Sequence, residues 1–161
     1  MAKVSMSVQD ALWLTMDRPN NLMVVDGAMV LSRPVTLEQV RAVYTDALGK
    51  FPVFARRAVP SGLGWAWEDD PHFAVDRHLS EVTLPQPAGM AELQRFLADQ
   101  RTAPLPKDRP LWQAFLIDEV NLDDGTTGSA VVNRFHHAIA DGVRLTQVML
   151  GLCDVPESGK P

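Results

Sequence analysis

A single cysteine, Cys153, is all that this sequence of 161 residues contains. An internal disulfide is therefore excluded, and the usage fits a reducing cytosol. Long apolar runs are missing too. Every one falls far short of the roughly 20 residues that a membrane-spanning helix needs, so any contact with lipid is expected to be peripheral. Clusters of Lys and Arg are missing, and the net charge of −5 argues against a nucleic-acid surface. Met1 to Asp10 holds one lysine and no apolar core, and does not read as a signal peptide. What is present is ordinary globular material. With 46% hydrophobic and 22% charged residues, the chain is too apolar for disorder and long enough for one real core.

The pattern along the chain alternates between helix and strand signals. Ser7 caps a short helix through Trp13 and Met16, with Asp10 at its third position, and Arg18-Pro19-Asn20-Asn21 breaks it. Leu22 to Leu31 reads as a strand apolar on both faces, which predicts burial on both sides. Thr36 and Gln39 form a capping box that opens the best helix of the chain, with Leu37, Val40, Tyr44, Ala47 and Leu48 at helical spacing and Gly49 as its stop.

Phe51 to Trp67 reads as two short strands joined by a glycine turn, with Trp65 and Trp67 facing the core rather than serving as a ligand platform. Glu68-Asp69-Asp70 reads as a solvated turn. After a short turn and strand from Asp76, a helix carries Met90, Leu93, Phe96 and Leu97, and the proline-rich Thr102 to Arg109 is a loop. A strand from Leu111 to Glu119 has two faces, Leu111, Phe115 and Ile117 against Trp112, Ala114 and Leu116. Asp124-Gly125 signals the hairpin to a return strand, Ser129 to Phe135. A helix to about Leu152 and a polar tail, residues 156–161, close the chain. The mixture predicts an α+β fold, helices packed on a mostly antiparallel sheet, without repeats or a second domain.

The chemistry is concentrated where the return strand ends, at Arg134-Phe135-His136-His137-Ala138-Ile139-Ala140-Asp141-Gly142. Histidine acts as a base near neutral pH because its unperturbed pKa is about 6.5. Neighbours leaving a strand point to opposite sides, so His136 and His137 are expected to have different tasks, one toward a substrate and one packed behind it. Asp141 would fix a tautomer or anchor the loop, and Gly142 permits a backbone angle or close approach that a side chain would block. Two plainer readings compete: ordinary buried histidines at a strand end, and a metal site using His137 and Asp141, four apart. The metal reading lacks ligands, because a zinc site usually needs three or four and no ligand spacing links His72, His78 or Cys153 to the pair.

His136-His137-Ala138-Ile139-Ala140-Asp141-Gly142 resembles the HHxxxDG signature of acyltransferases related to chloramphenicol acetyltransferase and the peptide-synthetase condensation domains. More narrowly, the chain resembles the N-terminal half of the bacterial wax ester synthase/diacylglycerol acyltransferase family. That likeness rests on four further stretches in the family's order: Ser7 to Trp13, Arg18-Pro19-Asn20-Asn21, Asp76-Arg77-His78-Leu79, and Arg109-Pro110-Leu111-Trp112.

The resemblance implies one lobe of a two-lobe fold, residues 1–155, with a substrate channel between the lobes. The chain ends about twenty residues past the motif, so the second lobe is expected to be absent, on a missing part of the protein or on a separate chain. The resemblance also implies the chemistry. His137, matching the second histidine, is the general base for a fatty alcohol or diacylglycerol hydroxyl attacking a long-chain acyl-CoA. His136 supports it, and Asp141 pairs internally with an arginine, for which Arg134 is not assignable. Acyl-CoA is a co-substrate, no cofactor or metal is bound, and residues that would hold coenzyme A are not identified. No acyl-enzyme is required, consistent with no cysteine near the motif and no serine in a nucleophile elbow.

A non-catalytic lobe that pairs with a second polypeptide is the alternative, and a condensation-type enzyme with an amine or polyketide hydroxyl acceptor is a third. The location implied is cytoplasmic, with the inner membrane or lipid inclusions as the surfaces for peripheral contact. An exposed apolar face is expected along Leu22–Leu31 and Trp112–Ile117, normally covered by the other lobe.

Overall fold

A computed structural model describes residues 3–139 and 142–152, with only the backbone of 142–144. Asp141 and the polar tail lie outside the described residues. In chain order the elements are β1 (Lys3–Ser5), α1 (Val8–Met16), β2 (Val24–Leu31), α2 (Leu37–Gly49), β3 (Arg56–Ser61), β4 (Gly64–Asp69), β5 (Leu79–Val82), α3 (Met90–Arg101), β6 (Trp112–Asn121), β7 (Thr127–His136) and α4 (Gly142–Gly151). Two helix starts follow directly from side-chain chemistry. The Ser7 hydroxyl accepts the Asp10 amide at 3.0 Å and opens α1. Thr36 and Gln39 exchange bonds of 2.8 and 3.2 Å and open α2.

The larger sheet has the order β2-β7-β6-β5, antiparallel except for β5 against β6, and the smaller has the order β1-β4-β3. The fold is therefore α+β with a mostly antiparallel sheet. β6 and β7 are its central strands, and their alternation divides the core in two. Trp112, Ala114, Leu116, Val131 and Phe135 pack with α2, α4 and Phe54, whereas Ile117, Val120, Ala130 and Val132 pack with Leu84 and Leu93. At Gly128 a Cβ would lie 1.9 Å from the Leu31 carbonyl oxygen, so the start of β7 meets the end of β2 only without a side chain there.

Trp112 anchors the first cluster. It is fully buried, stacks on His78 at 4.3 Å and on Tyr44 at 5.8 Å, and donates its indole N–H to the Phe54 carbonyl at 2.9 Å. Two of the stretches that carried the family resemblance meet here, because His78 also bonds the Trp112 carbonyl through Nδ1 at 2.9 Å. They are core packing.

Several expectations are corrected. The Leu22–Leu31 strand is not buried on both sides: β2 is an edge strand, mostly half-buried, with Ala28 and Val30 exposed. An edge needs only one neighbour, and apolar residues on its outer face are tolerated singly. Trp112–Ile117 is not an uncovered face either, since Trp112, Ala114, Leu116 and Ile117 are all at most 1% exposed. Glu68 and Asp69 are not a turn but the end of β4, paired with Arg57 and Arg56 at 2.7 and 2.8 Å, and Asp70 is buried. Pro52–Ala55 coils into a 3₁₀ turn, because Pro52 at its start suits a helical turn and disfavours a ladder. Leu111 precedes β6 and packs with Trp112's side. Exposed apolar side chains also line up on α1, where Val8, Leu12 and Met16, spaced by four, are 89%, 54% and 40% exposed.

Candidate active site

β7 delivers the two histidines. Its last ladder partner on β2 is Val24, opposite His136, and the next backbone amide, that of His137, donates to the Met23 carbonyl at 2.8 Å. His136's own amide donates to the Leu111 carbonyl at 3.0 Å, and its carbonyl accepts the Ile139 amide at 3.0 Å. The turn is thus tied on both flanks before any side chain acts.

The side chains diverge as strand geometry requires. His136 is 1% exposed, whereas His137 is half-buried. The Ala138 amide donates to His136 Nδ1 at 3.0 Å. In the neutral ring the proton therefore sits on Nε2, which lies 3.8 Å from the Asp17 carboxylate. Burial pushes the His136 imidazole down to about 4, with Asp17 opposing that shift and Lys107 and His137 adding to it. At neutral pH it is uncharged. His137 stacks on Trp13, ring centroids 4.7 Å apart and planes at 23°.

Asp17, the C-cap of α1, is 7% exposed, accepts the Met23 amide at 2.9 Å and pairs with Lys107 at 2.8 Å. Burial disfavours its ionised form, but the bonds from Lys107 and Met23 outweigh burial, leaving the carboxyl below the usual carboxylate value. Two residues before His136 on the same strand, Arg134 is also buried. Its guanidinium donates to Asp26 on β2 at 2.8 Å and to the Ala103 carbonyl at 2.6 Å.

Of the four residues the sequence nominates, the structure brings His136 and His137 together and starts α4 at Gly142, while Asp141 lies outside the described residues. Sequence reading missed Asp17 and Lys107 and gave Trp13 only a helical role. The signal available was the spacing of four between Trp13 and Asp17 just before the break at Arg18-Pro19, which puts both on one helix face. Among the described residues no group of three or more His, Cys, Asp or Glu could hold a metal ion.

The site is thus a half-buried histidine leaving the central strand of a mostly antiparallel sheet, backed by a buried one. The comparison with solved structures agrees on the fold. The wax ester synthase/diacylglycerol acyltransferase from Marinobacter aquaeolei VT8 superposes with a TM-score of 0.69 at 24% identity, covering 88% of this chain and 36% of that one. A variant of the starter condensation domain of rhizomide synthetase RzmA in complex with C8-CoA superposes with a TM-score of 0.73 at 15% identity, covering 94% and 34%.

Residues 6–161 match the wax ester synthase/diacylglycerol acyltransferase catalytic domain, and the chain belongs to that family. Relatives in Mycobacterium tuberculosis strain H37Rv are named as diacylglycerol O-acyltransferases. One is 33% identical over 154 residues, spanning 89% of this chain and 29% of its own length. Another is 35% identical over 114 residues, spanning 69% and 23%. The chain thus spans less than a third of the length of these relatives.

Proposed function

We propose that this chain carries the base-bearing lobe of an acyl-CoA-dependent O-acyltransferase that esterifies a fatty alcohol or a diacylglycerol. The observation that carries the reading is the contrast at the end of β7. His136 is buried and neutral, so it takes no proton near pH 7, whereas His137 is half-buried, pinned through its own amide and presented beside Trp13. His137 removes the proton from the acceptor hydroxyl as its oxygen attacks the thioester carbonyl. The tetrahedral intermediate collapses with cleavage of the C–S bond, and the proton passes to the departing thiolate, giving ester and free coenzyme A. Asp141 takes the loop-anchoring role that the resemblance implies, and Gly142 permits the backbone approach that a side chain would block. The family and the names of the relatives support this reaction class, and the C8-CoA complex of a neighbour of the same fold supports acyl-CoA as donor.

A second reading is favoured by the stripe Val8, Leu12 and Met16 on α1. Three apolar side chains on one exposed helix face mark an interaction surface, so this lobe would act only with a second lobe against it. The deciding assay incubates the chain with labelled palmitoyl-CoA and a panel of hexadecanol, diacylglycerol and amines. Ester formed with hexadecanol or diacylglycerol and lost in His137→Ala supports the first reading. Amide formed instead of ester moves the chain to the condensation type. Among the described residues no helix is long and apolar enough to cross a membrane.

A further inference from the structure

Two side chains from the end of α1, Trp13 and Asp17, meet the two histidines at the end of β7, and the chemistry above uses neither. Asp17 is the more informative. A carboxylate at the C-terminal end of a helix works against the helix dipole, and burying it adds a further penalty. Helix stability therefore does not account for it, but its partners do. One oxygen accepts the Met23 amide at 2.9 Å, and the Met23 carbonyl accepts the His137 amide at 2.8 Å. The other accepts from Lys107 at 2.8 Å and lies 3.8 Å from Nε2 of His136. A single line of contacts thus runs from Lys107 through Asp17 and Met23 to the backbone of His137, with a branch to the ring of His136.

The branch is incomplete in an instructive way. His136 Nε2 is buried and has no hydrogen-bond partner. Because Nδ1 is already occupied as the acceptor of the Ala138 amide, Nε2 carries the proton and needs an acceptor. The Asp17 oxygen is less than about 1 Å beyond hydrogen-bond length. Bonds of this kind commonly tighten when substrate binds.

We propose that Asp17 is the positioning residue of the histidine turn: it faces the Nε2–H that the Ala138 bond dictates, so aligning the His136 ring, and fixes the His137 backbone through Met23, with Lys107 balancing its charge and Trp13 packing the His137 ring. The inference rests on His137 being the base. Its consequence is that only one imidazole of the pair is free to exchange protons with a substrate. Among the described residues the charged and titratable groups facing His136 are Asp17, Lys107 and His137, and the first two come from outside the motif.

The test joins nitrogen NMR of ¹⁵N-histidine-labelled chain with turnover of palmitoyl-CoA and hexadecanol. Wild type is expected to show His136 as the Nε2–H tautomer at pH 7. Asp17→Asn keeps the size and an acceptor for Met23 but removes the charge. It is expected to keep that tautomer, to shift the His136 Nε2 and His137 backbone nitrogen resonances, and to lower kcat by about 10- to 100-fold, the cost of a misplaced catalytic group, with KM for palmitoyl-CoA within about twofold. Asp17→Glu should recover part of the loss, and Trp13→Phe, which keeps a ring on His137, should retain more activity than Trp13→Ala. Should Asp17→Asn fail to fold, Asp17→Ser, which keeps an oxygen but carries no charge, is read in the same way. An Nδ1–H tautomer in wild type, or unchanged His136 Nε2 and His137 backbone resonances in the variant that folds, overturns the proposal. The NMR reading needs no turnover, so an inactive wild type counts against the acyltransferase reading while the resonances still decide this one.

Discussion

Trp13 lies flat against His137, 4.7 Å between ring centroids, although one ring sits on the first helix and the other at the end of the last strand. The contact covers one face of the imidazole, and His137 as a whole is half-buried. Truncating His137 therefore removes a proton acceptor without opening the core. His137→Ala is expected to lower acyl transfer by about 10²–10⁴-fold, the usual contribution of a general base, while the thermal midpoint moves little. Steady-state turnover and a melting curve on the same preparation check this, and unchanged turnover would remove His137 from the base role.

A second expectation concerns pH. His136 is held near 4 in the folded chain, mainly by burial, and burial lowers His78 as well. An unfolded chain returns both to about 6.5, so below that value the unfolded state binds more protons than the folded one. This stability is fully present above pH 6.5 and is lost progressively as pH falls toward 4. For His136 the full loss is on the order of 3 kcal/mol. His136→Asn, whose side-chain oxygen can replace Nδ1 as acceptor for Ala138, should flatten the fall in thermal midpoint between pH 7 and 4.5. An equal slope in wild type and variant would contradict the assignment.

The pair Arg134–Asp26 gives a third. Arg134 is 1% exposed and its partner 13%, so Asp26→Ala strands a buried guanidinium. Breaking one side of a buried pair costs about 3–5 kcal/mol. Denaturant unfolding should show that loss in Asp26→Ala, and much less of it in a double variant that also replaces Arg134 with Met.

How far the sequence reached can be judged from these same residues. Elements with local signals were legible: Ser7 and Thr36 announce their helices, and the alternation of Trp112, Ala114 and Leu116 with Phe115 and Ile117 describes the two faces of β6. The edge position of β2 was not, because an apolar run reads the same whether one or two neighbours flank it. Glu68-Asp69 looked like a turn for a related reason: the arginines that neutralise it lie on the neighbouring strand. At the site, the motif placed the histidines, but Asp17 and Lys107 reach them through space from two separate segments. For Asp17 the spacing of four from Trp13 was the one local sign, and Lys107, on an irregular segment, had no periodicity to read.

The stripe on α1 gives a fourth prediction. Leu12→Glu sits on an exposed face, where substitutions usually stay within about 0.5 kcal/mol, so the melting curve should hardly change. Light scattering should show that wild type associates, with itself or with a supplied second lobe, and that the variant does so less. Identical association would clear this face of an interaction role.

The segment between α3 and β6 also has a kinetic side. It is irregular and rich in proline, yet Arg134 holds the Ala103 carbonyl, Lys107 holds Asp17, Arg109 reaches the Arg77 carbonyl at 3.3 Å, and His136 takes the Leu111 carbonyl. Pro104, Pro106 and Pro110 further limit how far it can unfurl. A protease needs a stretch that peels away to enter its cleft. Trypsin should therefore spare the bond after Lys107 while it cuts basic sites in less anchored loops, and cleavage there should report opening of the histidine turn itself.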